Sequence, residues 1–269
     1  MPAHSHSHSQ ADPDLLPRLL ELDAVVHASV LEHQLAMAHR LTHDARHVVD
    51  LGSGTGTGTF ALTAAFPDAR VTAVDVDEEM LRAVRRVADE RRIGERVDTV
   101  RIDIASGIPN ISGVDLVWSS NALHEVADPS AALRAVFRML RPGGALLVAE
   151  MDAPPTVLPP AYASLESTLR VAAGADAPVP SWSAAIVAAG FGGVTTGAFE
   201  SDQVLPADGP GGAYAALELR RLAQHALPRL SSGDADALRR LTVDLNGAHE
   251  LLDEVWVRGT RTIWTARRP

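Results

Sequence analysis

The chain has 269 residues, a formal charge of −10 and no cysteine. Without cysteine, disulfides and thiolate metal sites are excluded. The acidic balance argues against a nucleic-acid partner, because binding to phosphates needs a concentrated basic surface. No segment approaches the roughly 18 uninterrupted apolar residues of a membrane helix, and the N-terminus has no secretion-signal pattern. We therefore expect a single cytoplasmic globular domain with neither a nucleic-acid nor a membrane partner.

Two apolar runs flank a glycine loop near residue 50. The first run ends at Asp50 and opens into the loop 52–58, which leads into a predicted helix over about 57–66. The second run ends at Asp75. Glycine lets a ligand lie directly on the loop backbone, and the start of the helix offers unpaired N–H groups. Asp75 can accept hydrogen bonds from both hydroxyls of a ribose, so this unit predicts an adenosine site.

The glycine spacing separates two classes of adenosine ligand. A dinucleotide site needs G-x-G-x-x-G, but the third glycine position is Thr57 or Thr59 in the two available registers. Glycine instead stands at every second position from 52 to 58, beginning two residues after Asp50. This D-x-G-x-G-x-G run resembles the first motif of class I S-adenosylmethionine-dependent methyltransferases.

Two further segments strengthen this resemblance. Residues 121–126 read N-x-L-H-x-V after a predicted fourth strand, and residues 141–144 read R-P-G-G between a predicted helix and a predicted fifth strand. Both resemble motifs of the small-molecule branch of the family, the methyltransferase domain 11/25-like group. The resemblance covers residues 45–152 with specific motifs and fades to pattern-level similarity beyond them.

The resemblance implies an α/β fold: a Rossmann-like, seven-stranded, mostly parallel sheet with helices on both faces, an antiparallel last strand and helical lid elements. The residue patterns supply such elements in chain order. Further strands are predicted at 97–102, 114–119 and 145–150, and helices at about 77–91, 128–140 and 182–189. Residues 259–268 alternate like a final edge strand.

The resemblance also implies the cofactor-binding residues. Asp75 would hold the ribose, Asp103 would accept from the adenine amino group, and Ile104 would pack on the adenine ring. Asp50 either lies near the amino group of the cofactor or pairs with loop N–H groups and stiffens the turn. The residues expected to bind S-adenosyl-L-methionine are Asp50, Gly52, Ser53, Gly54, Asp75, Val76, Met80, Asp103, Ile104 and Asn121.

One residue is a candidate for catalysis. His124 follows the predicted fourth strand, near where an acceptor would meet the methyl group, and an imidazole titrates near neutral pH. We predict that His124 is the general base, and the alternative is that it caps or braces the loop. A base is not essential, since proximity and orientation contribute about 7–11 kcal/mol whereas a base adds perhaps 10²–10⁴-fold.

Regions outside the shared core are expected to select the substrate. Residues 12–44 and 207–254 have helical patterns that would form lids, and 153–180 follow the fifth strand at the ligand-binding edge. Near this edge, Tyr162, Arg170 and Trp182 are either pocket residues or ordinary packing and surface residues. We divide the chain into a flexible His/Ser leader, 1–11, and one methyltransferase domain, 12–269, with its cofactor-binding core at 45–152.

Histidines recur in the N-terminal region. His39 and His43 stand four residues apart, which would place them on one face of a helix. Because no acidic ligand motif accompanies this pair, we predict no metal site.

We therefore expect an enzyme that transfers a methyl group from S-adenosyl-L-methionine to oxygen, nitrogen or carbon of a small molecule, as in bacterial secondary metabolism. One alternative is an enzyme that binds this cofactor but catalyses other chemistry, such as a cyclisation. Another is a non-catalytic regulator, against which the intact glycine loop, Asp75 and Asp103 argue. Helical additions to such folds often dimerise, so a homodimer is expected by analogy.

Overall fold

The computed structural model describes residues 15–104, 111–175, 181–243 and 252–269, which form a seven-stranded sheet flanked by helices. The predicted leader at 1–11 and the end of the second predicted helical pattern, at 244–251, lie outside the described residues. The strands are β1 (His47–Leu51), β2 (Arg70–Asp75), β3 (Val97–Arg101), β4 (Val114–Ser120), β5 (Leu140–Met151), β6 (Gly192–Pro206) and β7 (Glu254–Arg267). The α-helices in these ranges are α1 (Leu15–Val26), α2 (Ala28–Leu41), α3 (Thr57–Ala65), α4 (Glu78–Glu90), α5 (Pro129–Met139), α6 (Ala163–Ala173), α7 (Ser183–Ala188), α8 (Pro210–Ala226) and α9 (Ser232–Val243).

The sheet has the order β3-β2-β1-β4-β5-β7-β6. The first five strands pair in parallel, and β7 is antiparallel to both of its neighbours. This confirms the predicted Rossmann-like fold class with an antiparallel last strand. The prediction of an edge strand at 259–268 is wrong, because β7 lies between β5 and β6 and the edge strand is β6. Alternation of polar and apolar residues also occurs in an inner strand when the polar side chains have buried partners. The pattern therefore predicts a strand but not its position in the sheet.

Both faces of the parallel strands are covered, which explains their continuous apolar sequences. Alternate residues face opposite layers: Val48 packs in a cluster with residues of α2 and α3, whereas Val49 packs in a cluster with residues of α5 and α7. Helices α4 and α5 begin as predicted, because Asp77 and Asp128 each accept a hydrogen bond from a backbone N–H in the first turn.

The R-P-G-G segment differs in detail from the predicted turn. It belongs to the start of β5, where the pairing with β4 is irregular between Val114 and Leu116. The N–H of Gly143 donates to the carbonyl of Arg268 at 2.8 Å, and the N–H of Arg268 donates to the carbonyl of Gly144 at 2.9 Å. The end of β7 therefore supplies backbone partners to this segment and holds it in the sheet.

The N-terminal helical stretch is divided into two helices at His27. The side-chain amide of Gln203 donates to the carbonyl of Val26 at 2.9 Å, and the N–H of Val30 bonds to the carbonyl of His27 instead. Because α2 ends at Leu41, His43 lies beyond it, so the prediction that His39 and His43 share a helical face is wrong.

Helices outside the methyltransferase-like core form a separate layer, which we call the cap and define as α1, α6, α8 and α9. The cap has its own apolar cluster, which includes Leu19 of α1, Leu169 of α6, Leu219 of α8 and Leu238 of α9. Val255 of β7 belongs to the same cluster. The predicted N-terminal lid and the predicted helical insertion thus pack together.

Gly52 sits at a point of close backbone approach, which a substitution can test. Its φ is +73°, and a Cβ atom there would lie 2.2 Å from Cβ of Ala122. Gly113 also has a left-handed φ, +70°, but a Cβ there would meet no atom within 4 Å. We expect Gly113→Ala to lower the free energy of unfolding by roughly 1–2 kcal/mol through the left-handed backbone alone. Gly52→Ala should lose a further 1–3 kcal/mol, approximately, from overpacking.

Urea unfolding of both variants measures this difference. Equal losses in the two variants would show that the glycine loop and the segment after β4 are not in close contact.

Candidate functional site

The predicted site residues gather at one edge of the sheet. Strands β1, β2, β4 and β5 are parallel, so their carboxyl ends meet at this edge. The strand order reverses between β1 and β4, which opens a crevice where ligands bind in α/β sheets. The glycine loop follows β1, and the N-x-L-H segment follows β4 on the other side of this crevice.

Asp75, the last residue of β2, binds the backbone of the glycine loop through its carboxylate. One oxygen of this carboxylate accepts from the N–H of Gly54 at 2.8 Å, and the other accepts from the N–H of Asp77 at 2.9 Å. Each carboxylate oxygen can accept a second hydrogen bond, so both remain able to bind a hydroxyl group. Three loop glycines have positive φ, which side chains disfavour: Gly52, Gly54 and Gly56.

Asp50 is fully buried beneath the loop. The hydroxyl of Thr59, in the first turn of α3, donates to its carboxylate at 2.6 Å. Burial raises the pKa of Asp50 to about 6, with Thr59 opposing this shift and the charge of Asp75 adding to it. A Cβ at Gly58 would lie 3.0 Å from this carboxylate, so the fourth glycine of the motif makes room for it. The structure thus supports the alternative in which Asp50 stiffens the turn.

Four of the residues expected to bind the cofactor lie beside the ends of β2 and β3. Val76 is 58% exposed although it is apolar, and Met80 is half-buried on the first turn of α4. Asp103 is exposed, whereas Ile104 is buried in the core cluster beneath the crevice. An exposed valine next to Asp75 offers an apolar surface to a flat ring.

Asn121 joins the ends of β4 and β5. Its φ is +53°, a left-handed conformation that asparagine tolerates better than most side chains. Its side-chain oxygen accepts from the N–H of Met151 at 3.0 Å, and its own N–H donates to the carbonyl of Ala149 at 2.8 Å. The side-chain oxygen of Asn121 is therefore used to shape the crevice wall.

His124 is paired with a buried carboxylate that sequence reasoning missed. Its Nδ1 lies 2.6 Å from Oε2 of Glu150, the penultimate residue of β5, which is only 1% exposed. The other oxygen of Glu150 accepts from the N–H groups of Ala122 and Leu123, at 3.2 and 2.8 Å. A charged residue at the end of an otherwise apolar strand was the signal in the sequence.

The electrostatics of this pair favour a protonated imidazole. The hydrogen bond to Glu150 is the main cause that raises the pKa of His124, and partial burial opposes it. Nε2 of His124 also lies 3.2 Å from the carboxylate of Glu125, which is 80% exposed. Because a carboxylate cannot donate, Nδ1 carries a proton toward Glu150 and fixes the orientation of the ring.

Several buried polar atoms of the glycine loop and of β4 have no protein partner within the described ranges. They are Oγ of Ser53, Oγ of Ser119 and Nε1 of Trp118. Ser53 belongs to the glycine loop, and Ser119 lies opposite Leu51 in the sheet. Buried polar groups normally have partners, so these atoms are available to a polar ligand or to water.

The first cap helix lies over the glycine loop. A Cβ at Gly54 would be 3.3 Å from Cδ1 of Leu20, on α1. The expectation that N-terminal helices cover the cofactor site remains a prediction, but α1 is in the position that it requires.

The glycine loop, the acid at the end of β2 and the sheet order have counterparts among known proteins. The sequence profile of the methyltransferase domain family matches residues 49–146. This match agrees with the resemblance to methyltransferases that the sequence motifs predicted. The matched segment begins at the end of β1 and ends within β5, so it contains the glycine loop, Asp75 and His124.

Known relatives extend the comparison. The malonyl-[acyl-carrier protein] O-methyltransferase of Laribacter hongkongensis is 34% identical over 155 residues, which are 55% of this chain and 52% of that protein. The trans-aconitate 2-methyltransferase of Azoarcus sp. is 35% identical over 105 residues, 39% of each chain. The chain thus matches about half or less of the length of these relatives.

A solved structure matches a larger part of the chain. The S-adenosylmethionine-dependent methyltransferase of Geobacter sulfurreducens, in complex with S-adenosyl-L-homocysteine, superposes with a TM-score of 0.50. It is 18% identical, and the match covers 88% of this chain and 91% of that one. The methyltransferase domain and the elements around it therefore share one fold with that enzyme.

The remaining candidates lie away from the crevice residues. Trp182 is buried in the core beside Ile186 of α7, so its packing role is the one observed. Arg170 donates to the carbonyl of Pro154, and Tyr162 packs against the cap cluster. Within the described ranges, no three potential ligands group as a metal site would require. None of the helices there is long and apolar enough to cross a membrane.

The raised pKa of Asp50 predicts a pH-dependent stability. The folded state holds the proton on Asp50 more tightly than the unfolded state does. The free energy of unfolding therefore falls as pH rises from the ordinary pKa of an aspartate toward 6. We expect Asp50→Asn, whose amide oxygen can still accept from Thr59, to relieve this loss. Unfolding measurements should show the variant gaining up to about 3 kcal/mol relative to wild type between pH 4 and pH 7.

Asp68→Asn is the control, because Asp68 is exposed and pairs with Arg46 at the surface. A stability difference for Asp50→Asn that does not change with pH would contradict the raised pKa.

Proposed function

We propose that the protein is an S-adenosylmethionine-dependent methyltransferase that acts on a small molecule. The observation that carries this proposal is the carboxylate of Asp75 bound to the N–H of Gly54, within a domain of the methyltransferase family. This contact lies between the glycine loop and the acid that we propose binds the ribose. The malonyl and trans-aconitate methyltransferases are relatives that act on small acceptors or acceptors on a carrier.

The residues of the crevice fit the cofactor. The loop after β1 has glycines with positive φ, Ser53 contributes a hydroxyl with no partner among the described residues, and Val76 offers an exposed apolar surface. Asp75 would bind the ribose, and Asp103, Ile104 and Met80 would lie around adenine. When bound, S-adenosylmethionine supplies an electrophilic methyl group on a sulfonium.

His124 is proposed as the general base that removes a proton from the acceptor. Glu150 accepts a hydrogen bond from the Nδ1–H group and holds the ring in place. Nε2 is therefore the atom that would take up a proton from the methyl acceptor. Glu125 must leave Nε2 for this step, and its high exposure leaves its side chain free to rotate. Glu150 is a positioning residue, because its contacts are to His124 and to the backbone.

Ligand-induced stabilisation tests the cofactor assignment. S-adenosylmethionine or S-adenosylhomocysteine at about 100 times its dissociation constant should stabilise the folded state by about 2.7 kcal/mol, which a thermal-shift assay detects. NAD should give no shift. Asp75→Ala should weaken cofactor binding by roughly tenfold or more, because it removes a charged acceptor of hydrogen bonds.

Asp98→Ala serves as the control, since Asp98 pairs with Arg70 at the surface of β3. A response to NAD alone would exclude the proposed cofactor, and unchanged affinity in Asp75→Ala would exclude the ribose contact.

The pH dependence of kcat/KM tests the base. His124 must be unprotonated to act, and Glu150 raises its pKa, so activity should fall on the acidic side at a pH above the ordinary histidine value of about 6.5. His124→Gln should remove this acidic limb and lower the rate by roughly 10²–10⁴-fold.

Glu150→Gln keeps an oxygen for the backbone N–H groups but loses the charge, so the acidic limb should move to lower pH. Glu125→Gln should move it less, because Glu125 is solvated. An acidic limb that persists in His124→Gln would assign His124 to bracing the loop.

A further inference from the structure

A small cavity lies between the break of the N-terminal helices, the segment after β5 and strand β7. Its walls include His27 at the break between α1 and α2, Pro155 after β5, and Arg261 of β7. Met151, which directly follows Glu150, also lines it. The cavity is therefore at the carboxyl end of β5, and most of its walls come from segments outside the shared core.

Arg261 is the charged group of this cavity, and α1 supplies its partner. Nη2 of Arg261, a residue that is 7% exposed, donates to both oxygens of Asp23 at 2.8 Å. The hydroxyl of Tyr214 donates to the same carboxylate at 3.2 Å. A guanidinium has five N–H donors, and within the described residues the bonds of Arg261 are those two from Nη2.

His27 is a second, independent indication of a ligand. It is 4% exposed, and neither ring nitrogen has a hydrogen-bond partner within the described part of the chain. Its Nε2 lies 3.7 Å from Asp23, which is beyond hydrogen-bonding distance. Burial lowers the pKa of His27, so the ring is neutral at pH 7 and keeps one N–H donor. An unpaired buried donor is costly in free energy unless something else binds it.

We propose that Asp23 occupies the place of an acceptor carboxylate on Arg261, so that the methyl acceptor is a small organic acid. This inference rests on the proposed methyltransferase function. The cavity has room for about one water molecule, so a carboxylate must displace Asp23 from Arg261. The N–H of His27 and the remaining N–H groups of Arg261 would then bind it.

The sheet places this subsite at the same edge as the proposed chemistry. Arg261 is the register partner of Met151 across β5 and β7, and Glu150 precedes Met151. Because successive strand residues face opposite sides of the sheet, Arg261 lies at the carboxyl end of β5 but on the other face from Glu150. Trans-aconitate and malonyl groups, named in the two relatives, both carry carboxylates. Because α1 also touches the glycine loop through Leu20, displacement of Asp23 would couple acceptor binding to the position of α1.

Small acids titrated calorimetrically into the complex of the protein with S-adenosylhomocysteine test this proposal. Two variants should change the affinity for these acids in opposite directions. The probes are malonate and trans-aconitate, with the trimethyl ester of trans-aconitate as the uncharged comparison. Asp23→Asn keeps one oxygen acceptor for Tyr214 or Arg261 but removes the competing charge, so acid binding should tighten several-fold. Arg261→Gln should weaken acid binding by roughly tenfold or more.

Glu218→Gln is the control, because Glu218 is a buried acid of the cap that pairs with Arg221 and not with Arg261. It should leave acid affinity unchanged. His27→Gln, tested as a second variant in case Arg261→Gln does not fold, should weaken acid binding without changing affinity for S-adenosylhomocysteine.

A purely structural ion pair predicts that Asp23→Asn and Arg261→Gln change acid binding in the same direction, and that result would overturn the proposal. Failure of both acids to bind the S-adenosylhomocysteine complex would overturn it too. Loss of S-adenosylhomocysteine binding by the wild-type protein would instead count against the proposed function itself.

Discussion

Each carboxylate that ends a strand must find hydrogen-bond donors, and this requirement shapes the whole ligand-binding edge. Buried charges without partners are very costly, so the loops fold around the acids. Asp75 holds the glycine loop through Gly54, Asp50 holds the first turn of α3 through Thr59, and Glu150 holds the segment after β4 through Leu123. The crevice therefore forms where three parallel strands each have an acid as their last or next-to-last residue.

The sequence predicted the cofactor-binding half of the molecule because local patterns determine it. The glycine loop, Asp75 and the capped helices α4 and α5 depend on residues close together in the chain, and all lie where they were expected. The pairing of His124 with Glu150 joins residues far apart in sequence. The sequence therefore showed an acid at the end of the apolar run 145–150 but did not show its partner. Strand β7 was assigned to the edge for the same reason, since insertion between β5 and β6 is a non-local choice.

The cap was predicted only as helices, and its charges were not foreseen. Asp23, Arg261 and Tyr214 come from three elements and are joined by hydrogen bonds under the cap. Nothing in their local sequence marks them as buried, because each occupies a pattern typical of an amphipathic helix or an alternating strand. Such a set of buried charged groups stabilises little by itself, since desolvation offsets much of the attraction. Recognition of an anionic acceptor explains their position better than stability does.

The central claim is that the crevice binds S-adenosylmethionine through Asp75. A crystal structure of the protein with S-adenosylhomocysteine tests it most directly. The account predicts both ribose hydroxyls within hydrogen-bonding distance of the Asp75 carboxylate, the adenine ring against Val76, and the amino-acid end of the ligand over the glycine loop near Ser53. A ligand bound elsewhere, or with its ribose away from Asp75, would contradict the account.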